Sequence, residues 1–312
     1  MRIRPATPAD YPAIASIMTG NRPDQPVSAE GLARQDAARG AGLLHAVLVA
    51  EDGGQVVGYA SYTQYADSLD PRTVRVAVGV HTGTRRQGIG AALYDALLER
   101  ARRQPIEWFK MRIRADQFAG LHFAARRGFV EYGRRIEARL PLADFEPAAY
   151  PDPDSLMDEQ GLSLLSIAQY ATTPEREHAL HDLKWEIEQD IPIPEPVTNI
   201  TFEDFRAQVL FASEFLREGS FVAVDGERPV GMLLTFSAGK GDLDIDLTGT
   251  ARDYRRRGIA FALKLKGTTW AKNAGLRVAM VANDLSNIGM LAINNRLGYQ
   301  RLPSIVLLKR RI

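Results

Sequence analysis

Arg85-Arg86-Gln87-Gly88-Ile89-Gly90 recurs as Arg255-Arg256-Arg257-Gly258-Ile259-Ala260, 170 residues further along the chain. A second landmark keeps the same offset, because Arg126-Arg127-Gly128-Phe129 returns as Arg296-Leu297-Gly298-Tyr299. Upstream, Gly53-Gly54-Gln55-Val56-Val57-Gly58 matches Gly226-Glu227-Arg228-Pro229-Val230-Gly231 at an offset of 173, and both read as hairpins. Three separated landmarks in near-constant register identify one structural unit present twice.

Each copy reads as strands alternating with helices around the quoted string. In the first, strands are expected at 2–4, 46–51, 56–64, 73–80 and 108–114, and helices at 8–19, 28–39, 88–103 and 118–127. This order predicts a layered α/β fold with a mixed sheet rather than a bundle. Pro141 to Ser155 carries four prolines and no sustained period, which is linker composition and places a boundary near 150. The expected domains are residues 1–150 and 151–312, consistent with 312 residues at roughly 150 per domain.

The quoted string lies where strand 73–80 turns into a helix whose apolar positions Ile89, Leu93, Leu97 and Ala101 hold helical spacing. Free N–H groups and the positive end of the helix dipole converge there, an arrangement that holds anions. Gly88 allows the backbone to approach a phosphate closely, and the arginines add charge-assisted hydrogen bonds. Neither copy carries GxxxxGK followed by Ser or Thr, nor GxGxxG, which leaves the phosphate ligand open at this level.

In both halves the loop, with the strand before it and the strand, helix and closing Gly-Phe or Gly-Tyr after it, resembles the R-x-x-G-x-G/A pyrophosphate loop of the GNAT superfamily of acyl-CoA-dependent N-acyltransferases. The resemblance covers roughly 100 residues of each copy. It implies two tandem GNAT-like domains with acetyl-CoA as acyl donor. By that resemblance CoA is held by Val80, Arg85, Arg86, Gln87, Gly88, Ile89 and Gly90 in one copy. In the other it is held by Thr250, Arg255, Arg256, Arg257, Gly258, Ile259 and Ala260. The donor enters where two strands splay apart, and the strand is expected to bulge near Gly79 and Gly249.

An alkylammonium must lose a proton before its nitrogen attacks a thioester. Strand Asp242-Leu243-Asp244-Ile245-Asp246-Leu247-Thr248 alternates three carboxylates with three apolar residues, whereas the equivalent Thr73 to Gly79 carries none. Asp244 stands eleven residues before the loop, where some family members place a glutamate base; Asp246 shares its face and is the other candidate. A tyrosine is often found four residues before the closing glycine, but Ala124 and Asn294 stand there. Asn294 and Asn287 are therefore candidates for contact with the departing or bound cofactor. Asn283 reads as either a site residue or a turn residue.

Between Pro174 and Glu195 lie seven carboxylates, Glu175, Glu177, Asp182, Glu186, Glu188, Asp190 and Glu195, with Trp185 off the apolar stripe. Trp185 and Asp190 are thus candidates for binding a cationic amine, the same composition being equally that of a solvated acidic face. His178 and His181 share a face without a third ligand, and no metal is expected.

The remaining composition narrows the function. Lys plus Arg is 39 and Asp plus Glu 38, a net charge of +1 that offers no general attraction for nucleic acid. There is no cysteine for thiol catalysis. MRIRPATPAD has no apolar signal segment and no long apolar run follows, so the expectation is a cytoplasmic protein with no membrane partner. The leading expectation is a monomeric N-acetyltransferase with an internal pseudo-dimer and a catalytic second half. The alternative is a non-catalytic acyl-CoA-binding or sensing pair.

Overall fold

The computed structural model describes residues 1–312 except 24, 25, 38, 40, 41, 65–69 and 193–197. Glu195 and the end of the helix expected at 28–39 therefore lie partly outside the described residues. The chain forms two compact units, one of residues 1–113, 117–132 and 307–312, the other of residues 114–116 and 133–306.

In the first unit, β1 (Arg2–Pro5), α1 (Tyr11–Asn21), α2 (Ala29–Ala37), β2 (His45–Asp52), β3 (Gln55–Thr63), β4 (Thr73–Val80), α3 (Ile89–Ala101), β5 (Trp108–Arg114) and α4 (Phe118–Ala125) follow in sequence. The sheet order is β1-β2-β3-β4-β5, antiparallel except for β4 against β5. α3 buries Ile89, Leu93, Tyr94, Leu97 and Ala101, the stripe anticipated from its spacing. Residues from near the far end of the sequence complete this unit. Ile312 donates its N–H to Glu107 O at 3.0 Å, and Arg310 Nη1 donates to Tyr94 Oη at 2.7 Å.

The second unit is built from β6 (Val130–Pro141), α5 (Pro153–Asp158), β7 (Ser163–Ser166), α6 (Ile167–Tyr170), α7 (Pro174–Glu188), α8 (Phe202–Phe205), β8 (Phe221–Asp225), β9 (Arg228–Ser237), β10 (Asp242–Thr250), α9 (Ile259–Asn273), β11 (Val278–Asp284), α10 (Ile288–Arg296) and β12 (Gln300–Arg301). The last strand, β13 (Ile305–Arg311), has its residues from 307 onward in the first unit. Here the order is β6-β11-β10-β9-β8-β7, with β10 parallel to β11 and β12 also pairing with β6. Apolar layers cover both faces. Leu243, Ile245, Ala279 and Val281 join Leu263 and Leu265 of α9 on one side, and Leu234 and Leu247 join Leu180, Leu183 and Ile187 of α7 on the other.

One expectation changes. The proline-rich stretch is not a loose linker: Leu142 and Phe145 are buried, Phe145 stacks on Tyr150 at 5.6 Å, and Asp152 caps α5 by accepting from Ser155 N–H at 2.8 Å. Three of its four prolines, Pro141, Pro147 and Pro153, fall at a strand end and at helix starts, where a missing N–H is tolerated. The compact units are discontinuous in sequence, 133–150 belonging to the second and 307–312 to the first. A boundary near 150 is proposed only as the seam of the duplication. No helix among the described residues is long and apolar enough to cross a membrane.

Candidate functional site

The two quoted strings adopt the same backbone. Arg85 and Arg255 are extended (φ −65° and −68°), Arg86 and Arg256 are left-handed (φ 67° and 60°), and Gly88 and Gly258 both sit at φ 80° before the first helical residue. A left-handed conformation is costly for a residue with a Cβ, so the glycine lets the chain turn abruptly into the helix. The first-turn N–H groups of α3 and α9 have no acceptor within their own helices. His81 and Ala251 anchor the strand ends alike, donating N–H to Val57 O and Val230 O at 2.9 Å.

The leading arginines are held differently. Arg85 donates from Nε to Val80 O at 3.5 Å and from Nη2 to Asn21 Oδ1. Arg255 donates from Nε to Thr250 O at 3.4 Å, but its Nη2 meets Asp190 Oδ2 at 2.6 Å, and Arg252 grips the same carboxylate at 2.6 and 3.1 Å. These two guanidinium groups hold the Asp190 carboxyl down to about 2. Asp190, expected on an acceptor rim, is thus engaged at the anion loop. Carboxylates of α7 just before it are similarly occupied: Glu177 pairs with Arg206 at 2.8 Å, Glu188 with Lys184 at 2.7 Å, and Glu186 accepts the Arg252 N–H at 2.8 Å. Trp185 is half-buried on the same helix. His178 stacks on Phe202 and His181 Nε2 lies 2.8 Å from Ile200 O.

Beyond the loops the parallel strand pairs part. β4 matches β5 only from Thr73 to Arg75, and β10 matches β11 only from Asp242 to Ile245, although both strands run on to Val80 and Thr250. This leaves an open edge of backbone N–H and C=O groups in each unit, available to an extended ligand. The bulge lies elsewhere than expected. Gly79 and Gly249 pair in regular register, while β10 slips against β9 between Ile245 and Leu247, making Asp246 the extra residue. The slip breaks the alternation read from sequence, so Leu247 enters the α7-side layer instead of joining Leu243 and Ile245. The glycines serve close approach, since a Cβ on Gly249 would lie 2.2 Å from Ile187 Cγ2 and one on Gly79 2.4 Å from Tyr59 Cε1.

Asp244 and Asp246 therefore bracket the point where β10 leaves β11. Asp244 is half-buried; burial and the Asp246 charge raise its carboxyl above the ordinary range, against the pull of Arg135. Asp246 is open to water although protein crowds around it. That crowding raises its carboxyl, opposed by Lys184 and Arg135. Accessible area alone would describe a surface carboxylate, but the density of surrounding protein governs its titration. Asp242 is tied to Arg277 at 3.0 Å at the strand start. In the first unit Val74, equivalent to Asp244, is a core residue.

Past the splay, the asparagines sort into distinct roles. Asn287 caps α10, accepting from Met290 N–H at 3.2 Å. Asn283 lies within β11, the turn being made by Asp284, whose Oδ1 accepts from Ser286 N–H at 2.9 Å. Asn294, expected to meet the cofactor, is 3% exposed with both amide ends engaged inside the protein, to Lys264 Nζ at 2.5 Å and Asn283 Oδ1 at 2.8 Å. Lys264 escapes a reading by apolar stripes; its signal is the repeat register, which sets it opposite Tyr94.

Comparison with known proteins agrees with this geometry. The model of the acetyltransferase (GNAT) family matches residues 12–129 and again 178–299. A mycothiol acetyltransferase from Amycolatopsis mediterranei is 27% identical over 262 residues, covering 81% of this chain and 80% of that protein. An L-methionine sulfoximine/L-methionine sulfone acetyltransferase from Pseudomonas paraeruginosa is 38% identical over 85 residues, 27% of this chain and 49% of that protein. Among solved structures, a GCN5-related N-acetyltransferase from Sphaerobacter thermophilus shares the fold at a TM-score of 0.75 and 24% identity, covering 99% of this chain and 95% of that one. A tandem GNAT protein from the clavulanic acid biosynthesis pathway does so at 0.73 and 19%, covering 99% and 98%.

Proposed function

The chain belongs to the acetyltransferase (GNAT) family, and from that premise we propose that its second unit moves an acetyl group from acetyl-CoA to the amine of a small molecule, while the first binds CoA without turnover. The observation that carries this division is the pair Asp244 and Asp246 at the splay of β10 from β11, against a carboxylate-free β4 at the equivalent place. Relatives named for mycothiol and L-methionine sulfoximine support a small acceptor rather than a protein one. The expected cationic character of the acceptor loses support, because Glu186, Glu188 and Asp190 are already engaged. We read the chain as working as a monomer.

Bound acetyl-CoA supplies the activated acetyl thioester. Arg255, Arg256, Arg257 and the N–H groups from Gly258 to Ala260 hold its pyrophosphate, and the N–H groups of β10 freed from pairing with β11, Thr250 among them, polarise the thioester carbonyl. Asp246, accessible to water and raised in pKa, takes the proton that the ammonium loses, with Asp244 behind it holding negative charge at the site. The first unit offers the same anion loop at Arg85, Arg86, Gln87, Gly88, Ile89 and Gly90 but no base.

Thiol release from acetyl-CoA over an amine panel tests the proposal. Release is expected with the wild type and with Gly88→Trp, and is expected to be lost in Gly258→Trp. Absence of release with every amine, or loss in Gly88→Trp alone, overturns it.

A further inference from the structure

A polar relay runs from the core of the second unit to the gap between β10 and β11. Its inner end is Lys264 on α9, 1% exposed, whose Nζ lies 2.5 Å from Asn294 Oδ1, 3.9 Å from Met290 Sδ and 5.2 Å from the Tyr299 ring centroid. Its middle is Asn294, donating from Nδ2 to Asn283 Oδ1 at 2.8 Å. Its outer end is Asn283, partly exposed, two residues beyond Val281, where pairing of β11 with β10 ends.

The ammonium assigns both amides. It can only donate, so Asn294 turns Oδ1 toward it and Nδ2 away; Asn283 then accepts with Oδ1, which leaves both N–H bonds of its Nδ2 without a partner among the described residues. An uncharged Lys264 imposes no such order. The first unit shows what the same positions look like without the relay. Tyr94, Ala124 and Ile113 replace Lys264, Asn294 and Asn283, and the Tyr94 ring packs against Phe109, Phe123 and Phe129 at 6.0–6.2 Å. The relay and the two aspartates therefore occur in the same unit.

We propose that Lys264 is a positioning residue which, through Asn294, holds the Asn283 amide N–H as a hydrogen-bond donor to the sulfur of the departing CoA thiolate. The proposal rests on the acetyl-transfer reading above. Asp246 first takes one proton from the ammonium and releases it to water; the C–N bond then forms, the C–S bond breaks with its electron pair going to sulfur, and the second proton, shed by the new amide nitrogen, goes to Asp246. Asn283 only donates a hydrogen bond and loses nothing. The relay thus stands in for the tyrosine that neither copy has.

Burial alone lowers the Lys264 amine to about 7. The groups facing it are Met290 and Asn294 from α10 and Tyr299, whose hydroxyl burial pushes well up and which lies 3.4 Å from Thr268 Oγ1; no carboxylate among the described residues contributes. A falling kcat is therefore expected as the pH rises through about 7 and Lys264 loses its charge, superposed on the rising limb of the base.

The test compares Lys264→Met, Lys264→Arg, Asn283→Ala and the double variant Lys264→Met/Asn283→Ala. Lys264→Met should lower kcat about 10- to 100-fold with the acetyl-CoA KM within about twofold, and should remove the limb near pH 7. Lys264→Arg should restore part of the rate. Asn283→Ala should lose as much, and the double variant no more than either, because the residues act as a unit. Additive losses, an unchanged pH profile, or a rise in KM alone overturns the proposal. Wild type without thiol release overturns the acetyl-transfer reading and the thiolate role with it. In that event the nitrogen-15 side-chain amide signals of Asn283 and Asn294 still decide the relay, which requires them to titrate near pH 7 in wild type and not in Lys264→Met.

Discussion

Replacing Lys264 with methionine should make the second unit more stable, by an amount that depends on pH. The buried amine titrates near 7 against 10.5 for a free lysine. The folded state thus disfavours the proton that the unfolded chain keeps, and each tenfold difference in proton affinity is worth about 1.4 kcal/mol. Because the folded pKa is the lower one, the destabilisation is full below about pH 7 and fades as the pH rises toward 10.5. On this basis the ionisation penalty at pH 7 is about 4 kcal/mol. Methionine removes it but leaves Asn294 Oδ1 without its donor, which costs about 1 kcal/mol. The net expectation is a variant more stable by about 3 kcal/mol at pH 7, with the advantage gone by about pH 10. Urea unfolding suits the measurement because urea is uncharged. In a Trp108→Phe background the fluorescence reports Trp185 and Trp270, both in the second unit. A variant no more stable than wild type at pH 7, or an advantage that does not change between pH 7 and 10, refutes the desolvated-amine account.

Asp246→Asn should lower kcat about 100-fold or more at neutral pH, and its deficit relative to wild type should shrink as the pH approaches the pKa of the free amine, in a thiol-release assay. Because its carboxyl is raised, the wild-type rate should begin to fall on acidification above the pH at which an ordinary aspartate protonates. Asp190→Asn copies Asn21 of the first unit and frees Arg252 and Arg255 from their carboxylate; CoA should bind the second unit more tightly, by about two- to fivefold in low-salt calorimetry and less at high salt. Gly249→Ala should lower thermal stability, since its Cβ has no room beside Ile187, and Gly258→Ala, whose Cβ meets nothing but sits on a left-handed backbone, should cost about 1–2 kcal/mol of stability and weaken CoA binding as well.

The anion loops were legible because their chemistry is local: strand, arginines, left-handed glycine and helix follow one another, and the offset of 170 reappears as matching dihedral angles. Features set by distant partners were not. Leu247 alternates correctly with Leu243 and Ile245 in sequence, and only pairing with β9 reveals that Asp246 is looped out between them. The prolines from 141 to 153 suggested a loose connection, but Leu142 and Phe145 among them find a core. The acidic stretch of α7 was readable as charge, whereas its cationic partners Arg206 and Arg252 lie tens of residues away. Nothing local in the sequence marks Lys264, because the groups that surround it, Asn294 and Tyr299, lie 30 and 35 residues further on.

The interleaved membership of the two units has a consequence for how the polypeptide is made. Residues 307–312, which supply the Arg310 contact to Tyr94 and the Ile312 contact to Glu107, leave the ribosome about 175 residues after residue 132, the end of the first unit's continuous sequence. At roughly 5–20 residues per second this is a wait on the order of ten to thirty seconds, during which the earlier-made unit lacks its last piece. The later-synthesised unit already has residues 133–141 when its own strands emerge. Vectorial synthesis therefore reverses the usual order of completion, and loss of residues 307–312 is expected to damage the half that was translated first.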